Sequence, residues 1–533
     1  MMKGQDAPGI GYRREIHGRI ERFVQPSASK RYSQYQATLS PTLFPHSYTR
    51  DARIFRELST VQIVQFVLAD GQIPDEQVQF LLHAQYAPRD FCVQYQESDL
   101  SFLSRLLEEE GIFYFFRHED GKDIVVFGNG PHAIEAVPHA GHLPYRDHPH
   151  RYEEVIHSLR AEARFRPGAT VLRDFRFKHP GLDMEARQTG TQFADCQVYY
   201  YPGDYVEPEL GLRLAKIRHE EIQCERSQIS AESSSPALLP GHTFQLEGHG
   251  RANLSRGYLL VSVEHEGTQP QVLAEEPAGA AEPQYKSHIT CIPDDVVFRP
   301  ARQTPRPCIQ GVQSAVVVGP GDDEIHCDAH GRVKVQFHWD RSGQRNDQSS
   351  CWIRVSQPWA GAGYGCMFIP RVGQEVLVQF LEGDPDRPVI VGRVYNGENP
   401  VPHALPDQKN VITLRTTSTP GGQGFNEIRF TDTAGQEELF IHAQMDRNEI
   451  VRNDYTCEVQ GNRAAIIAGN EQIEAAGNIC LQAGTAIILT VGGSIVEITS
   501  TGISINGTNL SLDGQKTSVT SPCIDLTGFV KIS

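Results

Sequence analysis

The chain has 533 residues, well beyond the roughly 250 to 300 at which one hydrophobic core stops growing, so three or four domains are expected. Its 66 acidic against 49 basic residues give a formal net charge of -17, which argues against nucleic acid or an anionic membrane as the main partner, because both demand a cationic surface. No apolar run approaches the roughly 20 residues that span a bilayer, and the start, Met1-Met2-Lys3-Gly4-Gln5-Asp6, lacks the apolar centre of a signal peptide, so the chain is expected to fold in the cytosol.

In chain order, His17–Val24 and Tyr35–Leu39 read as strands, after which the period changes. Ser59 followed by Gln62 is a capping-box pattern, with Val61, Val64, Val67 and Leu68 on one helix face that ends near Asp70-Gly71. Ser98-Asp99 opens a second helix through Leu100, Leu103, Leu106 and Leu107, stopped by Gly111, and residues 112–116 are apolar enough for a buried strand. A third helix runs from Pro208 to Glu225 with Leu212, Ala215, Ile217 and Ile222 as its apolar stripe, and Tyr258–Val263 is a clear strand. Residues 1–266 are thus an α+β body.

Residues 267–308, rich in Pro, Ala and Gln, read as a surface linker. Residues 309–400 return to short strands, Trp352–Val355, Val376–Phe380 and Val389–Val394 among them, separated by Gly/Asp/Pro turns, which suits a five-stranded barrel of the OB type. Residues 382–388, Glu-Gly-Asp-Pro-Asp-Arg-Pro, predict a tight hairpin with a rigid, charged tip. After a connecting segment over 401–456, residues 457–533 become short Ile/Val/Thr runs spaced by Gly or Asn, such as Ile487–Gly493, Ile495–Ile498 and Ile503–Gly507. β-Branched residues and Gly are poor helix formers, and this spacing is that of a β-solenoid. One narrow apolar strip per chain cannot enclose a core, so the tail is expected to intertwine with two copies of itself in a homotrimer.

Candidate chemistry has a structural reading throughout. His326-Cys327, His330 and His338 fall in a turn and at a strand end, short of a convergent metal-ligand set. Gly361-Ala362-Gly363-Tyr364-Gly365 leads into Met367–Pro370 rather than the helix a phosphate cradle needs. Glu108-Glu109-Glu110 reads as a solvated helix end, and Glu264-His265-Glu266 as a strand rim in which a His beside a carboxylate would make an acid/base pair. No G-x-S-x-G, H-E-x-x-H or papain-type Cys motif occurs. The expectation is therefore no catalytic, metal or cofactor residue. Eleven cysteines from Cys92 to Cys523, without CxxC pairs, read as mostly buried, reduced thiols.

The residues carry a resemblance over most of the chain. Tyr201-Pro202-Gly203, Pro240–Leu246 and Tyr258–His265 in the body resemble VgrG, the spike family of type VI secretion systems, itself similar to fused hub and spike proteins of contractile phage tails. So do GRVKVQFHWDR at 331–341, CWIRVSQPWAGAGYG at 351–365, PRVGQEVLVQFLEGDPDRP at 370–388, and GFNEIRFTDTAGQEELFIHAQMDRNEIVRNDYT at 424–456. The resemblance implies a non-enzymatic homotrimer that docks on the Hcp tube, carries a PAAR-type cap, effector toxins and an adaptor chaperone, and punctures a target envelope. It would be cytoplasmic when assembled and then secreted by contraction. Cap docking is expected at the tip, Gly528, Phe529, Val530, Lys531, Ile532 and Ser533. Two departures stand against the family pattern: the chain begins almost at His17-Gly18-Arg19-Ile20, so the first hub barrel looks shortened, and no long extension follows the needle. The alternative is a contractile phage-tail or tail-derived spike that degrades peptidoglycan, which would need a lysozyme-like insert in 400–455.

Overall fold

A computed structural model of the chain describes residues 2–3, 12–28, 33–148, 153–268, 284–529 and 531. It divides into two compact units, Met1–Asp446 and Arg447–Ser533. Among the described residues no helix is long and apolar enough to cross a membrane.

The first unit opens with an antiparallel ribbon of Arg19–Ala28 and Ser33–Ser40, where Ile20 pairs with Leu39 and Phe23 with Ala37. Pairing in register puts Ile20, Phe23, Tyr35 and Leu39 on one face, and all four are exposed. Helix α1, Thr60–Asp70, starts at a complete capping box: Gln62 N donates to Ser59 Oγ at 3.3 Å, and Ser59 N donates to Gln62 Oε1 at 2.9 Å. Its buried face is Ile63, Val64, Val67 and Leu68, whereas Val61 is only partly covered. Helix α2, Asp99–Glu110, is capped by Ser98 and ends at Gly111 with φ +68°, a conformation costly for any residue with a Cβ. These helices share one core with Phe55, from a strand paired with Cys92–Ser98. Helix α3, Pro208–Cys224, buries Gly211, Leu214, Ala215 and Arg218, an i, i+3, i+4, i+7 stripe; Leu212, expected inside, lies off it and is 54% exposed.

The expectation of a linker over 267–308 needs correction. Gln284–Pro293 is a ten-residue strand inside a seven-stranded sheet, between Gly257–Thr268 and Ser227–Ser233, with Ile289, Cys291 and Ile292 buried. The Pro/Ala-rich run that suggested a linker falls on residues outside those described. The expectation of mostly buried cysteines is also corrected: Cys92, Cys224 and Cys291 are buried, while Cys308, Cys327, Cys457, Cys480 and Cys523 are exposed.

Gln313–Val318, Lys334–Phe337, Arg354–Val355, Glu375–Phe380 and Pro388–Arg393 form the five-stranded barrel. Gln313–Val318 pairs with Lys334–Phe337 on one side and Glu375–Phe380 on the other. Pro388–Arg393 then links Glu375–Phe380 to Arg354–Val355. A reciprocal bridge, Ile353 N to Val333 O at 2.8 Å and Val333 N to Ile353 O at 3.1 Å, closes the sheet on itself and removes its edges. Val317, Val335, Phe337, Val376, Val378 and Ile390 fill the interior, joined by Phe91 and Val93 from the body. Beyond the barrel, Val411–Arg415, Glu427–Thr431 and Glu438–His442 make a three-stranded antiparallel sheet.

In the second unit, Ala486–Val491, Ser494–Thr499 and Ile503–Asn506 form a short antiparallel meander, and the remaining described residues carry no strand. Ile466 is 97% exposed and Leu481 70%. Among its described residues, then, the tail of one chain has neither the coils of a solenoid nor a core of its own.

Candidate functional site

The 382–388 turn, expected as a tight hairpin with a rigid, charged tip, is docked into the body. Glu382 and Gly383 take φ of +54° and +74°, and a Cβ on Gly383 would lie 2.4 Å from Cys308 Sγ, so both conformation and space call for glycine. Val93 N donates to Asp386 Oδ1 at 2.6 Å, and Ile309 N donates to Gly383 O at 2.8 Å. Arg387 donates to Asp174 Oδ2 at 2.6 Å and to Asp204 Oδ1 at 3.3 Å. Arg306 bridges Asp384 at 2.8 Å and Glu109 at 2.6 Å.

Through Arg306 the turn reaches the C-terminus of α2, and here the reading of Glu108-Glu109-Glu110 as a solvated face is overturned. Glu109 and Glu110 are largely enclosed. Arg89 contacts both, at 2.8 and 3.3 Å, and Arg213 pairs with Glu110. Glu108 accepts from Thr304 Oγ1 at 2.7 Å and from the backbone N–H groups of Gln303 and Thr304. Three carboxylates at a helix C-terminus oppose the helix dipole, and the surrounding guanidinium groups offset it. Arg218 donates to the carbonyls of Glu108 and Glu109, and Arg299 to that of Gly111. Burial alone would raise the Glu109 carboxyl, but Arg306, Arg89 and Arg105 hold it well below the usual carboxylate range. Asp386 goes the other way, raised by burial and by the neighbouring Asp384. This network ties the barrel to the body, with Glu109, Glu110, Asp174, Asp204 and Asp384 paired to arginines. Basic residues at Arg89, Arg213 and Arg306 are the signal in the sequence, but they stand 20 to 197 positions from their partners.

Besides the ribbon face of Ile20, Phe23, Tyr35 and Leu39, two further apolar surfaces among the described residues lack a covering layer. One is a face of the sheet over Val411–His442, and the other is the Ile/Leu series of the tail, where Ile488, Leu489, Ile503 and Ile505 are all more than half exposed. At the tip, Gly528 has φ +110°, Phe529 is fully exposed and Lys531 is exposed; Val530, Ile532 and Ser533 lie outside the described residues.

The other candidates do not converge. The His326 ring packs near Trp352, His330 meets Phe177, and His338 Nε2 lies 3.1 Å from Ser314 Oγ, while Cys327 is exposed. Residues 361–365 form a tight exposed loop in which Gly361 N donates to Tyr364 O at 2.9 Å. His265 points away from Glu264 and Glu266, as strand alternation requires, and contacts Tyr285 and Arg14 instead. Burial, with Arg14 adding, pushes its pKa down to about 4, so the arrangement does not make the acid/base pair the sequence raised.

Residues 5–271 match the family model of the phage tail baseplate hub, residues 315–395 that of the type VI secretion system/phage-baseplate injector OB domain, and residues 412–505 that of the bacteriophage T4 gp5 C-terminal trimerisation domain. The type VI secretion system spike protein VgrG1a of Pseudomonas aeruginosa is 40% identical over 461 residues, which cover 85% of this chain and 71% of that protein. The chain belongs to the VgrG family. VgrG1b of the same organism is 40% identical over 469 residues, covering 86% of this chain and 62% of that relative. A Vibrio cholerae relative, the actin cross-linking toxin VgrG1, is 37% identical over 459 residues, of which this chain spans 41% of the length. This chain spans about three fifths to seven tenths of the length of the first two relatives. An E. coli component of the type VI secretion system, described as similar to T4 tail proteins gp27 and gp5, shares the fold with a TM-score of 0.51 at 24% identity, over 72% of this chain and 84% of that one.

Proposed function

We propose that the chain is the structural spike of a type VI secretion system: a non-enzymatic homotrimer that sits on the Hcp tube, is tipped by a PAAR-type cap, carries effector toxins, and is driven through a target envelope. The observation that carries this reading is the tail, whose Ile and Leu side chains stand exposed along a segment without a core of its own. Three such strips wound together would hide them and leave no lateral edge strand, giving a β-solenoid needle. Such a needle resists axial load because many backbone hydrogen bonds must fail together, and the charged joint would pass that load from body to barrel. The family membership supports the same reading, as does the description of the matched segment over 412–505 as a trimerisation domain. Residues 400–455, where a lytic insert would sit, are largely taken up by the sheet over Val411–His442.

Release of the tube protein into the medium tests this in the producing cell. Replacing the chain by its Ile495→Asp variant should abolish release, and undiminished release would contradict a needle built on that side chain. The tip assignment has its own test: removing residues 522–533 should end co-purification of a PAAR protein while leaving the mass unchanged, and retained co-purification would move the docking site elsewhere.

A further inference from the structure

The sheet over Val411–His442 is complete within one chain, yet only one of its faces is finished. The register sets Ile412 against Phe430, Leu414 against Ile428, Ile428 against Ile441 and Phe430 against Leu439. Residues directly opposite share a face, so these six large apolar side chains stand together, and each is between 43% and 61% exposed. The opposite face is satisfied from within. Glu427 is buried there and accepts from Thr413 Oγ1 at 2.8 Å, with His403 Nε2 at 3.1 Å. Arg415 lies 3.9 Å over the Phe425 ring, which stacks on His442, and Arg429 covers Phe440 while pairing with Glu438 at 2.8 Å.

A folded sheet with six uncharged side chains on one face offers nothing to a charged or polar partner. It fits an identical face, and it lies within the segment matched as a trimerisation domain, 412–505. The tail that follows differs in kind, because residues 447–485 carry no strand. A preformed surface loses little conformational freedom on association, whereas a strandless segment must be ordered as it associates. We infer that the sheet over Val411–His442 is the nucleus on which copies of this chain first meet, and that the strandless stretch 447–485 acquires its order only on chains already held there. Covalent connection to associated sheets raises the effective concentration of the tails to the order of millimolar, turning a three-body encounter into a local one. This rests on the homotrimer reading above.

The test uses the full chain and two readouts, mass by light scattering and hydrogen exchange resolved by segment. Phe430→Asp should lower the mass threefold, to that of one chain, and should strip protection from 447–485 although that segment is unaltered; Phe430→Leu, which keeps the face apolar, should behave as wild type. In wild-type refolding, protection over 411–442 should appear before that over 447–485. A trimeric Phe430→Asp with 447–485 protected, or protection that appears first over 447–485, would overturn the nucleus while leaving the trimer standing. A monomeric wild type would instead overturn the trimer reading itself.

Discussion

Apart from the ribbon over 19–40 and the sheet over Val411–His442, residues 1–446 and 447–533 treat apolar surface in opposite ways. In the first unit, Phe102, Phe127, Leu238, Tyr258 and Phe337 are each almost wholly buried, in several distinct cores. In the second, Ile466, Leu481, Ile488, Leu510 and Leu526 all remain more than half exposed. Hydrophobic content is present in both; what differs is whether one chain can fold around it. A body of mixed helices and sheets brings residues far apart in sequence onto opposing layers, whereas a narrow tail of short runs has no second layer to offer. On the trimer proposed above, the first unit's stability is mainly a property of the chain and the second's a property of an assembly.

The strongest way to break this contrast is to place a charge in each unit. Ile495→Asp should drive hydrogen exchange over 486–506 to unprotected rates while leaving the denaturant midpoint of the first unit unchanged, whereas Phe337→Asp should unfold the barrel outright. If Ile495→Asp leaves the tail protected, its side chain does not face the shared core. Next in size, Arg306→Ala leaves Glu109 and Asp384 enclosed without their shared cation. It should cost about 3 kcal/mol in chemical denaturation of the first unit, the order expected for breaking a buried pair, and should not touch the tail. Leu214→Ala against Leu212→Ala checks the stripe of α3: the former should cost about 2 kcal/mol or more, and the latter within about 0.5 kcal/mol.

Acid offers a smaller, reversible probe. Burial pushes the pKa values of His46, His219, His242 and His265 down, in the last case to about 4 with Arg14 adding to the effect. Each ring therefore resists protonation in the folded chain, while the unfolded chain takes up protons below about pH 6.5. Stability is full above that value and is lost as the pH falls toward the depressed values. His265 contributes on the order of 1 kcal/mol, discounted because solvent screens a ring that is only partly enclosed. No histidine follows His442, so the tail should lack this sensitivity. Melting of both units followed from pH 7 to pH 4.5 would show it, and equal losses would contradict it.

Local signals were readable without coordinates. The Ser59/Gln62 capping box and the Gly111 stop lie within a few residues of the helices they bound, and they stand where the pattern places them. The barrel's strands were likewise marked by their own turns. What could not be read was long-range: Glu108-Glu109-Glu110 has the composition of a solvated helix end, and only Arg89, Arg213 and Arg306, brought in by the fold, make it a joint. Gln284–Pro293 was hidden by the Pro/Ala-rich run before it; in α3 the expected Ala215 and Ile217 are buried, and Leu212 alone of that stripe is exposed. At the tip, what the sequence proposes for 528–533 rests on the family resemblance, since no local physical pattern there specifies a partner.

The central claim, that the second unit's core is shared between chains, is tested most directly by the mass of the intact chain in solution, measured by light scattering against the 59.4 kDa of one copy. A shared core requires a mass three times that value, unchanged on dilution. A mass of one copy at all concentrations, with the segment over 486–506 still protected from exchange, would contradict it.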